Sequence, residues 1–531
     1  MSSVSRRAAI GLAAGAAGML AACSESPAKP AGARVPQQRT GESVSTPVAP
    51  KPSPTPTGTP RTGAPRTANP IPAENSRPVG KRWLADDPGF RSADDVGQQI
   101  AAYASATSVG LGESIDFHVH VGTPEPYRIE VFRLGHYGGA GARHLVSSPT
   151  LNGRPQPEAE RAVKTNLISC DWPVAWTLKV PTGWVSGMYV AVFTTASNHR
   201  SHAVFVVRDD SRSGNLCVVL PFSTYQAYNS WPRDGRLGRS LYHGYRLDGV
   251  LGTEERSRKV TFDRPYSGSG LPYLYDTDYD LIQWAERSGY DVTYATSVDL
   301  HTGRVDPLRH AGMIFPGHDE YWSAQMRAAV ETGVAGGTSL AFLTANNVYW
   351  NIRYEPGDGR PDRVVTCYKS SQEDPTSGAR LSTVTWRSLN AQDAEQRLLG
   401  VQYNGVVAKA APLIVQQAAH WMWEGTGVRD GTAIRKLVAG EADGHDARFP
   451  GADGVQTLLS ASPYMTVKGK PAVQNTSVYE AASGAVVFCA GTFNWPLALN
   501  RRGYRDSRIQ RATANLVNRM LGPKGAPGDR A

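Results

Sequence analysis

The hydrophobic pattern of the chain changes near residues 211–215, and this change restricts the fold more than any other feature. Before it, short runs such as residues 115–121 alternate between apolar and polar side chains, as half-buried β-strands do. After it, buried strand-like runs such as Asn215–Phe222 are followed by helical segments, which is the pattern of a parallel sheet. The sequence therefore predicts a multidomain β plus α/β protein, with an N-terminal β-sandwich over residues 83–210 and a parallel-sheet α/β domain over 211–523.

The positive charge of the chain is concentrated near its N-terminal end. The formal net charge is +9, but residues 1–82 hold eleven basic and three acidic residues, so the rest is almost neutral. A folded domain that binds nucleic acid usually has a basic patch or stripe on its surface. The charge pattern therefore excludes nucleic acid as the expected partner, and the 12 Trp and 22 Tyr exclude a mainly disordered chain.

Residues 1–23 have the features of a bacterial export signal. The sequence SRR at 5–7 precedes an uncharged run over residues 8–22, and LAAC at 20–23 resembles a lipobox. The paired arginines and the weak hydrophobicity of the run resemble a twin-arginine signal. We expect cleavage before Cys23, acylation of its thiol, and a lipid anchor at the outer face of the cell membrane.

Residues 24–82 are rich in Pro and Thr and have few large apolar side chains. Such a segment cannot bury a core, so we predict a disordered tether between the lipid and the folded part. Its positive charge favours contact with anionic lipid headgroups or wall polymers. The alternative is that the segment is only a soluble spacer. Residues 524–531 are predicted to form a disordered tail.

The other cysteines give no sign of a zinc site. Cys217 and Cys489 lie in apolar strand-like runs, where buried free thiols are expected. Cys170 and Cys367 have more polar surroundings, and the sequence leaves open whether they pair.

Polar side chains follow two predicted strands at the points where ligands gather in parallel sheets. One group is Pro316–Ser323, directly after the strand that ends at Phe315, and another is Ser223–Asn229. A third candidate is Asp276–Asp280, at the start of a helix. In the first group, His318, Asp319, Glu320 and Tyr321 could bind a metal or act as acid and base. The alternative is that Asp319 or Ser323 only caps the next helix.

Other chemistries have weaker support. Asp116, His118 and His120 share one face of a strand, where a solvated polar face is favoured over a metal site. The chain lacks the G-x-S-x-G, G-x-x-x-x-G-K-[ST] and H-E-x-x-H motifs. A glutaminase-type nucleophile would require a Cys at the turn of residues 317–323, which has none.

Several long motifs occur together and in a fixed order along the chain. They are RLGHYGGAGAR (133–143), TYQAYNSW (224–231), DYDLIQWAERSGYDVTYATSVDLH (278–301), GHDEYWS (317–323), GTGVRDG (425–431), AGEADG (439–444) and AGTFNWPLAL (490–499). Together these motifs resemble the C-terminal family of the N,N-dimethylformamidase large (beta) subunit, over nearly all of residues 100–521.

The resemblance implies a β-sandwich followed by a glutamine-amidotransferase-like, flavodoxin-like α/β domain. It also implies a mononuclear iron that is held by tyrosine and glutamate side chains. Carried onto this sequence, the ligand positions are Tyr321 in GHDEYWS and Tyr279 near the start of the preceding helix.

The glutamate ligand is left open among Glu320, Glu373 and Glu441. The resemblance assigns Glu441 an acid–base or supporting role and lets His318 orient a water molecule. The predicted catalytic set is therefore His318, Glu320 and Glu441.

The leading hypothesis is an exported, membrane-tethered, metal-dependent amidohydrolase that cleaves a C–N amide bond of a small substrate. The alternative is a non-catalytic envelope protein that binds a glycan or wall polymer. That alternative would use the aromatic side chains of Trp172, Trp176, Trp231 and Trp322 as stacking surfaces. The sequence leaves the substrate and the oligomeric state open.

Overall fold

The computed structural model describes residues 68–376, 378 and 380–522. The predicted signal segment with Cys23, residues 24–67 of the predicted tether and the predicted tail 524–531 lie outside this part. Helix α1 (Ile71–Asn75) lies within the predicted tether, so the folded part begins earlier than the sequence indicated. Glu74 of this helix is 2% exposed and pairs with Arg143 at 2.8 Å. Polar contacts of this kind, which composition does not reveal, hold residues 68–82 on the fold.

The first half of the described chain consists of short β-strands. They are β1 (Arg91–Ser92), β2 (Ala101–Ala104), β3 (Ser108–Gly110), β4 (Ser114–His120), β5 (Pro126–Leu134), β6 (Ala142–Ser147), β7 (Leu151–Asn152), β8 (Glu160–Ala162), β9 (Leu167–Ser169), β10 (Val174–Lys179), β11 (Gly187–Thr195) and β12 (His199–Arg208). One sheet has the order β1-β12-β11-β5-β6, with β3 beside β12 and β7 beside β5. A second sheet has the order β10-β4-β2.

The two sheets share one core, which the alternating side chains of β4 enter. Ile115 and Phe117 are at most 1% exposed, and the Phe117 ring lies 5.8 Å from Phe193 and 5.7 Å from Phe205 of the other sheet. The strand predicted from the alternation of residues 115–121 is thereby confirmed.

The two histidines on the other face of β4 are buried, at 9% exposure each, and so do not form the expected solvated face. The His118 ring stacks on Tyr103, and its Nδ1 lies 2.6 Å from the carbonyl oxygen of Trp172. Nδ1 of His120 accepts the backbone N–H of Gln156 at 3.0 Å. Burial lowers the pKa of both imidazoles. They are therefore neutral, and among the described residues they belong to no group of three or more His, Cys, Asp or Glu side chains that could hold a metal.

The second half alternates strands with helices. Its strands are β13 (Leu216–Leu220), β14 (Gly244–Tyr245), β15 (Leu251–Gly252), β16 (Lys259–Thr261), β17 (Val292–Thr296), β18 (Gly312–Phe315), β19 (Tyr321–Ser323), β20 (Ser339–Phe342), β21 (Trp350–Gly357), β22 (Arg360–Thr366), β23 (Gln402–Val406), β24 (Ala411–Ile414), β25 (Ala433–Val438), β26 (Glu441–Gly444), β27 (Val455–Leu458), β28 (Ser462–Met465), β29 (Pro471–Gln474), β30 (Ser477–Glu480) and β31 (Val486–Cys489). Its helices are α2 (Phe222–Tyr228), α3 (Tyr275–Arg287), α4 (Ser297–His301), α5 (Ala324–Ala335), α6 (Trp386–Leu389), α7 (Gln396–Leu399), α8 (Trp495–Asn500) and α9 (Ser507–Leu521). Within the described ranges, none of the helices combines the length and the apolar character that crossing a membrane requires.

The main sheet of this half has the order β17-β13-β18-β20-β31-β30-β27. Strands β17, β13, β18, β20 and β31 are parallel, while β30 and β27 pair antiparallel. Numbered along the chain, the parallel strands lie in the order 2-1-3-4-5, which is that of flavodoxin-like doubly wound sheets. The predicted parallel sheet is therefore present.

Smaller antiparallel units occupy much of residues 350–480. They include the hairpins β21–β22 and β28–β29 and the pairs β23–β26 and β24–β25. With them, the described protein consists of several sheets, is mostly β and has few helices.

A buried ion pair joins the β-sheets to the α/β part. Arg133 of β5 contacts Glu286 of α3 at 2.7 Å, and both side chains are 0% exposed. Glu286 also accepts the hydroxyl of Tyr294 at 2.8 Å and the side-chain amide of Asn75 at 2.8 Å. One carboxylate therefore connects strands β5 and β17 with helices α1 and α3.

Candidate active site

Three loops meet at the carboxyl edge of the parallel sheet. They follow the neighbouring strands β13, β18 and β20. The hydroxyl of Thr224, in the loop-and-helix segment after β13, accepts the backbone N–H of Glu320 at 3.1 Å. The hydroxyl of Thr344, after β20, donates to the carbonyl oxygen of Gly317 at 2.6 Å. These bonds fix the backbone of the residues that follow β18.

Two tyrosines and a glutamate form a buried cluster at this edge. Tyr228 is the last residue of α2, Tyr242 lies in the loop before β14, and Glu320 lies just before β19. The hydroxyls of Tyr228 and Tyr242 donate to the same oxygen of Glu320, Oε2, at 2.8 and 2.6 Å. The two hydroxyl oxygens lie 2.9 Å apart, and no member is more than 4% exposed. We call these three residues the Tyr–Tyr–Glu cluster.

An imidazole and a second carboxylate lie against the cluster. Nε2 of His318 lies 3.2 Å from Oε2 of Glu320 and 3.7 Å from Oε2 of Glu441. Glu441 is the first residue of β26, so a strand outside the parallel sheet supplies it. The site therefore combines side chains that are far apart in the sequence.

Asn346 positions Glu441. Its side-chain amide donates to Oε2 of Glu441 at 2.9 Å, and its backbone N–H donates to Asp443 at 2.8 Å. Its backbone φ is +55°, a conformation that Asn tolerates better than most residues. The loop after β20 and strand β26 are thereby held in register.

The carboxylates keep His318 charged. Burial opposes the charged form, but the hydrogen bond to Glu320 and the charges of Glu441 and Glu320 raise the pKa of His318 to about 9. Burial also opposes the charge of Glu320. The neighbouring cations nevertheless hold the pKa of that carboxyl below its ordinary value, and His318 has a larger effect than Lys369. At neutral pH His318 is therefore an imidazolium that pairs with the carboxylate of Glu320 and lies close to Glu441.

A lysine side chain closes the cluster on one side. The ammonium of Lys369 lies 3.5 Å from the ring centre of Tyr242 and 4.8 Å from that of Trp350. Such cation–π contacts hold a positive charge beside the phenol of Tyr242. Lys369 has no signal in the sequence, because its position at the site depends on the fold.

The structure brings the predicted residues His318, Glu320 and Glu441 together. Glu373, the third candidate for the glutamate ligand, lies elsewhere: its side chain is 44% exposed and pairs with Arg258 at 3.0 Å. Tyr321 packs edge-on beside the cluster, with ring centres 6.5 Å from Tyr228. The hydroxyls of Tyr228 and Tyr242 donate to Glu320, and Tyr321 as a metal ligand stays a prediction.

Tyr279 is placed away from the cluster. Its hydroxyl lies against Gly141 of the β-sheet part, and its ring meets Trp83 edge-on at 6.0 Å. The preceding residue, Asp278, accepts the hydroxyl of Tyr225 at 2.7 Å and lies against the loop after β18. Successive residues on a helix point about 100° apart, so α3 directs Asp278 towards the site and Tyr279 away from it.

Other predicted groups are also buried. The cysteines Cys170 and Cys367 are free thiols rather than a disulfide. Trp172, Trp231 and Trp322 are at most 3% exposed, and Trp176 stacks on Phe117 at 5.9 Å. The stacking surface that a glycan-binding role required of Trp172, Trp231 and Trp322 is therefore buried, while Trp176 is half-buried.

Sequence reasoning found only part of the ligand-type residues. Tyr228 lies in a polar run that the sequence analysis singled out, but no pattern distinguished it from Tyr225. Tyr242 lies in a loop without a periodic signal. Across the part of the chain that the structure describes, no three His, Cys, Asp or Glu side chains form a metal-binding group. The converging oxygens here are mainly phenolic.

These features define an α/β protein with an enclosed, oxygen-rich acid–base site at the carboxyl edge of its sheet. The chain belongs to the family of N,N-dimethylformamidase beta subunit-like C-terminal domains, whose profile matches residues 128–507. The beta subunits of N,N-dimethylformamidase from Paracoccus aminophilus and from Alcaligenes sp. are each 25% identical to it over 329 residues. The match covers 55% of this chain and 43% of each relative, so the chain spans less than half of their length. At this low identity, the relatives support an amidohydrolase family.

Comparison with solved structures adds no argument about the fold. A superoxide reductase from Ignicoccus hospitalis matches with a TM-score of 0.13 at 14% identity, over 20% of this chain and 79% of that one. A glucanotransferase from Paenibacillus sp. matches with a TM-score of 0.16 at 8% identity, over 59% of this chain and 61% of that one.

Proposed function

We propose that the chain is a metal-dependent amidohydrolase that cleaves the C–N bond of a small amide outside the cytoplasm. The observation that supports this most is the Tyr–Tyr–Glu cluster with His318 and Glu441 beside it. It combines hard oxygen donors with a charged acid and a carboxylate base in one enclosed site.

The donor atoms fit a mononuclear iron ion. Phenol and carboxylate oxygens converge within 2.6–2.9 Å of each other, and they suit a hard cation. Within the described chain, the second oxygen of Glu320, Oε1, is buried without a hydrogen-bond partner. Tyr228, Tyr242 and Glu320 would hold the ion. When bound, it would supply Lewis acidity for an amide carbonyl and lower the pKa of a water molecule.

The remaining side chains of the site manage protons. Glu441 is held by Asn346 and is the carboxylate that accepts a proton from the attacking water and returns it to the leaving amine nitrogen. His318 lies between Glu320 and Glu441, where its charge offsets the two buried carboxylates. Replacing Glu441 or His318 therefore slows hydrolysis but leaves in place the side chains that would hold the ion.

The site favours a small substrate. His318, Glu320 and Glu441 are at most 5% exposed. The ring of Tyr273 lies 5.3 Å from that of Tyr228, and the ring of Phe493 lies 4.7 Å from His318. Aromatic side chains at this distance pack against the site and exclude bulk water, so a substrate that enters it has to be compact.

The Tyr242→Phe variant tests this proposal through hydrolysis of a panel of small amides. We expect kcat/KM to fall at least about 100-fold, because one ligand oxygen is lost from the cluster. The matched control is Tyr279→Phe, which removes the phenol oxygen of a tyrosine on α3, away from the cluster, and should change kcat/KM less than about threefold. Equal activity of the wild type and Tyr242→Phe would contradict the assignment.

We also propose that the α/β domain is glutamine-amidotransferase-like. The strand order 2-1-3-4-5 and the strand–turn–helix unit from β18 to α5 support this relation. The turn contains Gly317–Ser323 and no Cys, so the site would act without a thiol nucleophile.

We propose a lipid anchor at Cys23 on the outer face of the cell membrane, which rests on the sequence of residues 1–23. Replacing Cys23 with Ser should abolish incorporation of labelled fatty acid and release the exported protein from the membrane fraction, because one acyl-bearing residue is lost. The control is Ser24→Ala, which should remain anchored. Unchanged labelling of Cys23→Ser would place the anchor elsewhere.

A further inference from the structure

A cavity of about 520 Å³ lies in a region that the proposed hydrolysis does not use. Its walls are strand β23, the segment Gly444–Arg448 at the end of β26, and the turn of the β28–β29 hairpin. Gln402 of β23 pairs with Gly444 of β26. Since β26 begins at Glu441, the cavity lies about 10 Å along that strand from Glu441.

The charged side chains that line the cavity are mostly cationic. They are Arg387, Arg448, Lys468 and Lys470, and Asp446 is the carboxylate among the described lining residues. Asp446 pairs with Arg448 at 2.7 Å. Lys468 and Lys470 flank Gly469 at the hairpin turn and are exposed. The local excess of positive charge predicts a ligand with negative charge.

The inner wall of the cavity is aromatic and rigid. The ring of Tyr349 meets that of Tyr403 edge-on at 5.3 Å, and the guanidinium of Arg387 lies 5.4 Å from the ring centre of Tyr349. Arg387 is anchored by Glu395 at 3.0 Å and by the carbonyl oxygen of Tyr403 at 3.1 Å. In the described part of the chain, its Nη2 is buried without a hydrogen-bond partner.

We propose that this cavity binds an anionic oligosaccharide whose acid groups are carboxylates or phosphates. Sugar rings pack on tyrosine side chains such as Tyr403, and the acid groups pair with Lys468, Lys470 and the anchored Arg387. A volume of about 520 Å³ is within the ordinary range for a small ligand and suits two or three sugar units. This site is separate from the buried aromatic residues that the sequence analysis considered for glycans.

The test is equilibrium binding to the purified protein at low and moderate salt. The probes are trigalacturonate for the carboxylate form, glucose 1,6-bisphosphate for the phosphate form and maltotriose as the neutral control. We expect at least one acidic probe to bind, with an affinity that falls as salt is raised, and maltotriose to bind at least about tenfold more weakly.

The variant Lys468→Glu/Lys470→Glu should weaken binding of the acidic probe at least about tenfold, because two exposed charges are reversed. Both side chains are exposed at a turn, so the fold should be unaffected. The control is Lys409→Glu, an exposed lysine outside the cavity, which should leave the affinity within about twofold.

Binding of one acidic probe alone would identify the acid group and support the site. Failure of both acidic probes to bind, equal binding of maltotriose, or an equal loss in the Lys409 variant would overturn the proposal. Amide hydrolysis is not part of this measurement, so its outcome is independent of the proposed catalytic function.

Discussion

Replacing Glu320 with Gln is expected to lower amide turnover at least about a thousandfold. The carboxylate oxygen Oε2 accepts the hydroxyls of Tyr228 and Tyr242 and pairs with Nε2 of His318. The side-chain amide of Gln has the same shape as the carboxylate of Glu320 but is neutral. The two hydroxyls and the imidazole therefore lose the negative charge that they contact. The measurement is kcat/KM of the purified variant on the best small amide of the panel.

The control for this prediction is Glu373→Gln. Like Glu320, Glu373 is a glutamate paired with a cation. Its side chain is 44% exposed, and its partner is Arg258, which is not a residue of the cluster. We expect the turnover of Glu373→Gln to remain within about threefold of the wild type. If Glu320→Gln kept more than about a tenth of wild-type activity while remaining folded, Glu320 would have no central role.

The largest expected effect on stability comes from Arg133→Met. This change leaves the carboxylate of Glu286 buried without its cation, and breaking a buried pair in this way costs about 3–5 kcal/mol. Burial opposes the charge of Arg133, but Glu286 raises the pKa of the guanidinium, so Arg133 stays charged. The free energy of unfolding from urea titration is the quantity to measure.

An exposed ion pair of equal length provides the comparison. Arg519 and Glu480 are also 2.7 Å apart, but their side chains are 46% and 50% exposed. Solvent screens such pairs, so Arg519→Met should cost less than about 1 kcal/mol. A cost of Arg133→Met as small as that of Arg519→Met would mean that the buried pair does not hold the two parts of the protein together.

The secondary structure of the core could be predicted because it depends on local patterns. The alternation of residues 115–121 identified β4, and the apolar run at 216–220 identified strand β13 of the parallel sheet. Helix α1 was missed, because Glu74 and Asn75 are held by contacts with residues more than 60 positions away.

The site could be predicted only where its residues are close in sequence or share a motif. His318 and Glu320 lie in one short loop, and Glu441 was found through the family resemblance. Tyr242 reaches the cluster from a loop, so only the folded chain shows its proximity to Glu320. Conversely, the fold separates residues that are adjacent in the sequence, because Asp278 and Tyr279 on α3 point to different parts of the protein.

The measurement that tests the central claim most directly is the metal content and visible absorption spectrum of the purified protein after reconstitution with iron. The account predicts about one iron per chain and a phenolate-to-metal absorption band, because Tyr228, Tyr242 and Glu320 supply the ligand oxygens. Both signals should be lost in Tyr242→Phe and retained in Tyr279→Phe. Absence of bound iron in the wild type, or an unchanged spectrum in Tyr242→Phe, would contradict it.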